Sequence, residues 1–121
     1  MTTEAKKEQR KKMDKLWSRL IAVKFRFKCA ICKGAGSDAH HLIGRSSLAF
    51  RHSPSNGVLL CRKHHNSAHD GSSAEVTALL GNCLDDIKPS GDITECDLSK
   101  MIQDELKKNG YHHLVEKVVR L

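Results

Sequence analysis

Two short spacings, Cys29-x-x-Cys32 and Cys61-x-x-His64, bring four soft metal ligands into one chain of 121 residues. A C-x-x-C turn sets two thiolates about one tetrahedral edge apart, and C-x-x-H repeats that geometry from a second segment. Together they close a four-coordinate zinc shell with no open position. A chain this short buries a limited core, and one Trp, one Tyr and three Phe leave few large side chains to fill it. A structural metal would supply part of the missing folding energy. A redox C-x-x-C is the weaker reading, because no thioredoxin-like βαβ pattern surrounds Cys29. The five cysteines are odd in number and follow no secretory signal, so they do not read as a disulfide framework. Cytoplasmic, reducing surroundings are the expectation, and no apolar stretch approaches the ~18 residues of a membrane span. Cys83 and Cys96 lack partners at short spacing and are expected as buried thiols.

The ligands fall on recognisable elements. Met13, Leu16, Trp17, Leu20 and Ile21 recur at helical spacing, which predicts a helix over residues 3–24 with a polar first half and Trp17 in the core. Phe25 and Phe27 alternate with Arg26 and Lys28, as in a half-buried strand, and Gly34 and Gly36 supply a turn. Residues 39–43 read as a second strand, residues 45–56 as a polar loop, and Val58-Leu59-Leu60 as an apolar run into Cys61. Residues 62–69 read as a helix ended by Asp70-Gly71. Ser72 or Ser73 would cap a helix carrying Val76, Leu79 and Leu80, stopped by Gly81. Residues 88–91 form a loop. Leu98, Met101, Ile102 and Leu106 mark an amphipathic helix ending near Asn109-Gly110, and Leu114, Val115, Val118 and Val119 a last one. The fold class is small α+β: a basic helix over residues 1–24, a zinc-stabilised core over 25–71 and a helical extension of the same domain over 72–121.

Six of the eight histidines lie between His40 and His69. With His64 taken by the zinc shell, and His52 in the polar loop assigned no role, His40, His41, His65 and His69 remain. On a helix, His65 and His69 at i, i+4 share a face and can converge on one cation. Neighbours on a strand point to opposite sides. One of His40 and His41 can therefore ligate that cation while the other stays free, and a free neutral imidazole beside a metal is a candidate general base. Two or three imidazoles with open positions make a catalytic arrangement rather than a structural one.

The order of His41, Asn56 and His65, with the segments Ala39-His40-His41 and Leu60-Cys61-Arg62-Lys63-His64-His65, resembles the zinc-containing branch of the HNH endonucleases. The likeness covers roughly residues 25–70 and departs from the commonest pattern at His64, where the fourth zinc ligand is usually a cysteine. It implies a ββα-metal core and a metal-dependent phosphodiester hydrolase acting on DNA. In that family reading His41 is the general base, and His40, His65 and His69 hold the catalytic metal, which is Mg²⁺, Mn²⁺, Ni²⁺ or Zn²⁺. Asn56 binds backbone across the loop so that His41 is correctly aimed, and Arg45 and Arg51 clamp phosphate. A looser similarity to phage-encoded recombination or DNA-processing nucleases, carried by the basic helix before the first cysteine pair, implies branched or structured DNA.

Charge suggests a polyanionic partner, with an ordinary solvated helix face as the alternative. Residues 1–28 carry +7, residues 29–70 carry +3 and residues 71–121 carry −3, so the basic part coincides with the arm and the ligand region. The same charge fits a second function, a non-catalytic zinc module that binds nucleic acid through phosphate contacts. That module has no need of His41. No recognition helix with base-reading side chains is evident, so strong sequence specificity is not expected.

Overall fold

The computed structural model describes residues 2–114. Its first element is α1 (Thr3–Lys24), opened by the Thr2 side chain, which accepts the Ala5 N–H at 3.1 Å. Residues 3–12 of α1 are all exposed, and Met13 is the first buried position. From there the apolar stripe divides. Met13, Leu16, Leu20 and Val23 pack on Leu98, Ile102 and Leu106, while Trp17 and Ile21 pack on Leu59.

α1 ends in a Schellman arrangement. The Phe27 N–H reaches the Ala22 carbonyl at 2.8 Å and the Arg26 N–H reaches the Val23 carbonyl at 2.9 Å. Arg26 and Phe27 both take left-handed backbone, with φ of 55° and 62°. The expected strand over Phe25 and Phe27 is therefore a helix cap instead. Satisfying the last helical carbonyls outweighs the local alternation, and pairing is reduced to one bridge, Lys28 with Ala35.

The segment after the cap folds back on itself. The Cys29 N–H bonds the Gly34 carbonyl, and the Ala30 and Ser37 N–H groups bond Leu59 and Leu60. β1 (Asp38–His41) then pairs antiparallel with β2 (Gly57–Leu60) in a two-stranded sheet, with His40 opposite Val58 and His41 opposite Gly57. β2 is buried throughout and leads through Cys61 into α2 (Arg62–Asp70), which Gly71 ends in left-handed backbone with φ 68°. α3 (Ala74–Cys83), capped by Ser73, packs against α2, and α4 (Glu95–Lys108) opens with a Thr94–Asp97 capping box and packs along α1.

Three expectations for the C-terminal part are corrected. Gly81 does not stop α3, which runs on to Cys83 and a 3₁₀ turn at Leu84–Asp86. Gly81 is not among the glycines with positive φ, so it only weakens the helix by about 1 kcal/mol. Cys96 is exposed rather than buried, because it lies two residues before Leu98 and so on the far side of α4; Cys83 is half-buried. Met101, at the edge of the α4 stripe, is 37% exposed. Beyond Leu114, the expected last helix (Val115, Val118 and Val119) lies outside the described residues. Among the described residues no helix is long and apolar enough to cross a membrane. Among the described residues the architecture is small α+β, four α-helices and one antiparallel pair of strands.

Gly57 shows how closely α1 lies on the sheet. A Cβ there would sit 2.5 Å from Trp17 Cζ2 and 2.9 Å from Ile21 Cδ1. Both neighbours are fully buried and cannot retreat. Gly57→Ala is expected to lower stability by about 1–3 kcal/mol, read as a reduced urea midpoint at unchanged slope. An unchanged midpoint would count against the tight contact between α1 and β2.

Candidate functional site

Two ligand clusters meet at the start of α2. The first gathers Cys29 and Cys32 from the folded-back segment, Cys61 from the end of β2 and His64 from the first turn of α2. Zn–S bonds of about 2.3 Å and Zn–N bonds of about 2.0 Å set tetrahedral edges of about 3.8 Å between sulfurs and about 3.5 Å between sulfur and nitrogen. Here Cys32 Sγ lies 3.9 Å from Cys61 Sγ, and His64 Nδ1 lies 3.5 Å from Cys29 Sγ and 3.2 Å from Cys61 Sγ. These four residues can hold a metal ion such as zinc.

The local electrostatics suit that set. Burial opposes ionisation of Cys29, but backbone donors at Cys32, Cys61 and Ile31 outweigh it and bring the thiol down to about 6. The Gly34 N–H favours the Cys32 thiolate, yet burial and the Cys29 and Cys61 sulfurs push its thiol up. A cation shared by the three sulfurs removes that mutual repulsion.

The second cluster is His40, His65 and His69. His65 and His69, one turn apart on α2, bring their Nε2 atoms within 3.1 Å, and the His40 ring lies 5.4 and 5.1 Å from theirs by centroid. A shell of nitrogen ligands has edges of about 3.3 Å, and three protein ligands leave it open. Asp38 stands behind the cluster with Oδ2 3.4 Å from His65 Nδ1. A carboxylate on that side favours the proton on Nδ1 and turns the Nε2 lone pair inward, the orienting arrangement of many histidine ligands. Burial and the other histidines push the His40 imidazolium down to about 4, and burial is the first cause of the drop at His65 as well. Both rings are therefore neutral at pH 7, as ligands must be.

Strand alternation separates the histidine pair. Asp38 and His40 turn toward α2, while Ala39 and His41 turn toward α1. In a sheet of two strands β1 is an edge, and a cleft of about 430 Å³ wraps around it, lined by His40, His41, His65 and His69 together with Asp14 and Ser18. His41 is held on both sides. Its ring stacks on Trp17 at 3.8 Å and 10°, and its Nε2 lies 2.9 Å from the Arg51 carbonyl. A carbonyl only accepts, so Nε2 carries the proton and the neutral ring keeps its lone pair on Nδ1. Burial depresses the His41 imidazolium more than the bond to Arg51 restores it, and the ring stays neutral. Across from His41, Gly57 has no side chain to keep the indole away from the imidazole.

The loop that supplies this carbonyl is itself fixed. Asn56, wholly buried, accepts the Ile43 N–H at 2.7 Å and donates to the Ile43 and Phe50 carbonyls at 3.0 and 2.9 Å. Trp17 donates its indole N–H to the Ser53 carbonyl at 2.8 Å. One turn earlier on α1, Asp14 takes a forked pair from Arg51 at 2.9 and 2.7 Å and a third contact from His52 at 2.7 Å. Burial works against the Asp14 carboxylate, but Arg51 and His52 hold it down at about 2. Arg51 is thereby committed within the protein. Arg45 touches Asp14 only at 3.4 Å, and its side chain is 63% exposed.

The structure thus brings Cys29, Cys32, Cys61 and His64 into one group, His40, His65 and His69 into another, and His41 into the cleft that the second group lines, while Asn56 is buried in the loop behind it. Three partners were missed in the sequence. Asp38 is two residues before His40, so strand alternation alone could have placed it beside the imidazoles. Asp14 and the Trp17–His41 stack carry no local signal, because their partners lie more than twenty residues away. Comparisons of the chain with protein-family models, with curated proteins and with solved structures return no match.

Proposed function

We propose that this chain is a metal-dependent endonuclease of the HNH type, with a ββα-metal core, that hydrolyses DNA phosphodiester bonds. The observation that carries the reading is the state of His41. Its Nε2 is tied to the Arg51 carbonyl, its Nδ1 keeps a lone pair, and it shares a cleft with the imidazoles of His40, His65 and His69. A binding module gains nothing from that arrangement.

In this reading His41 draws a proton from a water that attacks the scissile phosphorus. His40, His65 and His69 hold a divalent ion such as Mg²⁺, Mn²⁺, Ni²⁺ or Zn²⁺, which supplies charge neutralisation at the phosphate and at the leaving 3′ oxygen. Asn56 keeps the loop closed so that the Arg51 carbonyl stays on His41. Arg45 has the exposure to reach a phosphate, while Arg51 serves His41 from behind. Cys29, Cys32, Cys61 and His64 hold a structural zinc.

His41→Ala is expected to slow cleavage of supercoiled plasmid by about 10²–10⁴-fold, the usual worth of a positioned base. The assay supplies Mg²⁺, Mn²⁺, Ni²⁺ or Zn²⁺ in turn. Equal rates for the variant and the wild type would remove His41 as the base. DNA binding without cleavage under every ion would leave the non-catalytic zinc module.

A further inference from the structure

Residues 3–12 of α1 are exposed, with Glu8, Lys11 and Lys12 bordering a groove shared with Glu95 and Ser99 of α4. They continue the helix whose Asp14 and Ser18 line the cleft. Helical register decides which of their cations point the same way. Lys7, Lys11, Asp14 and Ser18 stand at i, i+4, i+7 and i+11, one stripe along the helix. Lys6 and Lys12, equally charged, lie about 100–140° around the axis from Lys7 and Lys11. The Glu8–Lys11 pair is long, at 3.8 Å, and both side chains are largely exposed, so it does not withhold Lys11.

We propose that Lys7 and Lys11 form a rail for the phosphate backbone of duplex DNA, guiding one flank of the substrate into the cleft. The proposal rests on the endonuclease reading for its substrate and adds the surface that carries it. Lys7 lies eleven residues before Ser18, which at 1.5 Å per residue is about 16 Å, or about five base pairs at 3.4 Å each. A straight rail of fixed cations matches a stiff line of charge. Single strands are usually bound by stacking on aromatic platforms, and Trp17, the chain's single Trp, is buried against His41. A membrane surface is a poor match because residues 3–12 present no large apolar side chain to insert.

The test compares two charge-matched pairs in the His41→Ala background, without added divalent ion, so that binding is read whether or not the protein cleaves. Affinity for a fluorescent 20-base-pair duplex is followed by anisotropy from low to moderate salt. Each phosphate contact contributes about 0.9 to the slope of log K against log salt. Lys7→Ala/Lys11→Ala should reduce that slope by about 1.8, and Lys6→Ala/Lys12→Ala by less than half as much. Equal losses from both pairs would mean that net charge alone acts, and no loss from the first pair would remove the rail; either result overturns the proposal. Affinity for a single strand of the same length should be lower, and equal or tighter binding would overturn the choice of duplex. Failure of the chemistry shows separately, as equal plasmid cleavage by wild type and His41→Ala.

Discussion

If Cys29, Cys32, Cys61 and His64 hold a zinc ion, stripping it is expected to unfold the middle of the chain. The four ligands come from the folded-back segment, the end of β2 and the first turn of α2. Besides the ligands, these parts are joined by backbone bonds from Ala30 and Ser37 to β2 and by a small apolar cluster. The sheet has two strands of four residues, and a lone strand pair is marginal in water. The cluster has Cys29, Val58 and Leu60 at its centre with partly buried residues around them, so one ligand is itself part of the core. Structural zinc in small domains contributes about 10–16 kcal/mol at neutral pH, as much as the whole stability of most domains. A tight chelator, or Cys61→Ser, should therefore abolish the cooperative thermal transition. Part of the helical circular-dichroism signal should survive, because α1 and α4 share a separate apolar cluster. An unaltered melt after stoichiometric zinc release would overturn this account.

The second large effect is expected at Trp17. The side chain is 1% exposed, packs on Ile21 and Leu59, stacks on His41 and donates to the Ser53 carbonyl. Trp17→Ala opens a large cavity, for which about 3–5 kcal/mol is typical, and it leaves the Ser53 carbonyl without its donor. Trp17→Phe keeps most of the bulk and removes the N–H, and should cost about 1–3 kcal/mol. Urea titrations of both variants separate packing from hydrogen bonding. A loss below about 1 kcal/mol for Trp17→Ala would show that α1 is not held to the sheet through this ring. Cleavage measured well below the melting temperature should also fall in Trp17→Ala, since His41 loses one of its two supports.

Much of the architecture was legible because its signals are local. The stripe from Met13 to Ile21, the Cys61-x-x-His64 spacing and the Asp70-Gly71 stop each depend on neighbours within a turn or two, and each became the expected element. The failures have the same origin. Alternation at Phe25 and Phe27 was a local strand signal overruled by the carbonyls at the end of α1. Gly81 was a local stop signal with no left-handed turn to serve. The site divides likewise. Ligands at short spacing could be sorted into two sets from the sequence, and the structure places both sets as groups. The supports of His41 could not be read: the Arg51 carbonyl is a backbone atom, which no sequence motif marks, and Asp14 meets Arg51 across 37 positions of chain.

His64 and His65 are adjacent in the chain, yet one belongs to the cysteine cluster and the other to the imidazole cluster. Each residue of an α-helix advances the azimuth by about 100°, so one peptide step carries the chain from one cluster to the other. His69 returns to the His65 face four residues later. The segment therefore works as a gauge whose phase matters more than its composition. Arg62, Lys63 and Asn66 are exposed and leave room for exchange. A single residue inserted or deleted between Cys61 and His69 would turn the downstream ligands out of phase and disable whichever cluster they serve. Across these nine positions the chain can vary in spelling at Arg62, Lys63 and Asn66 and has no freedom in length.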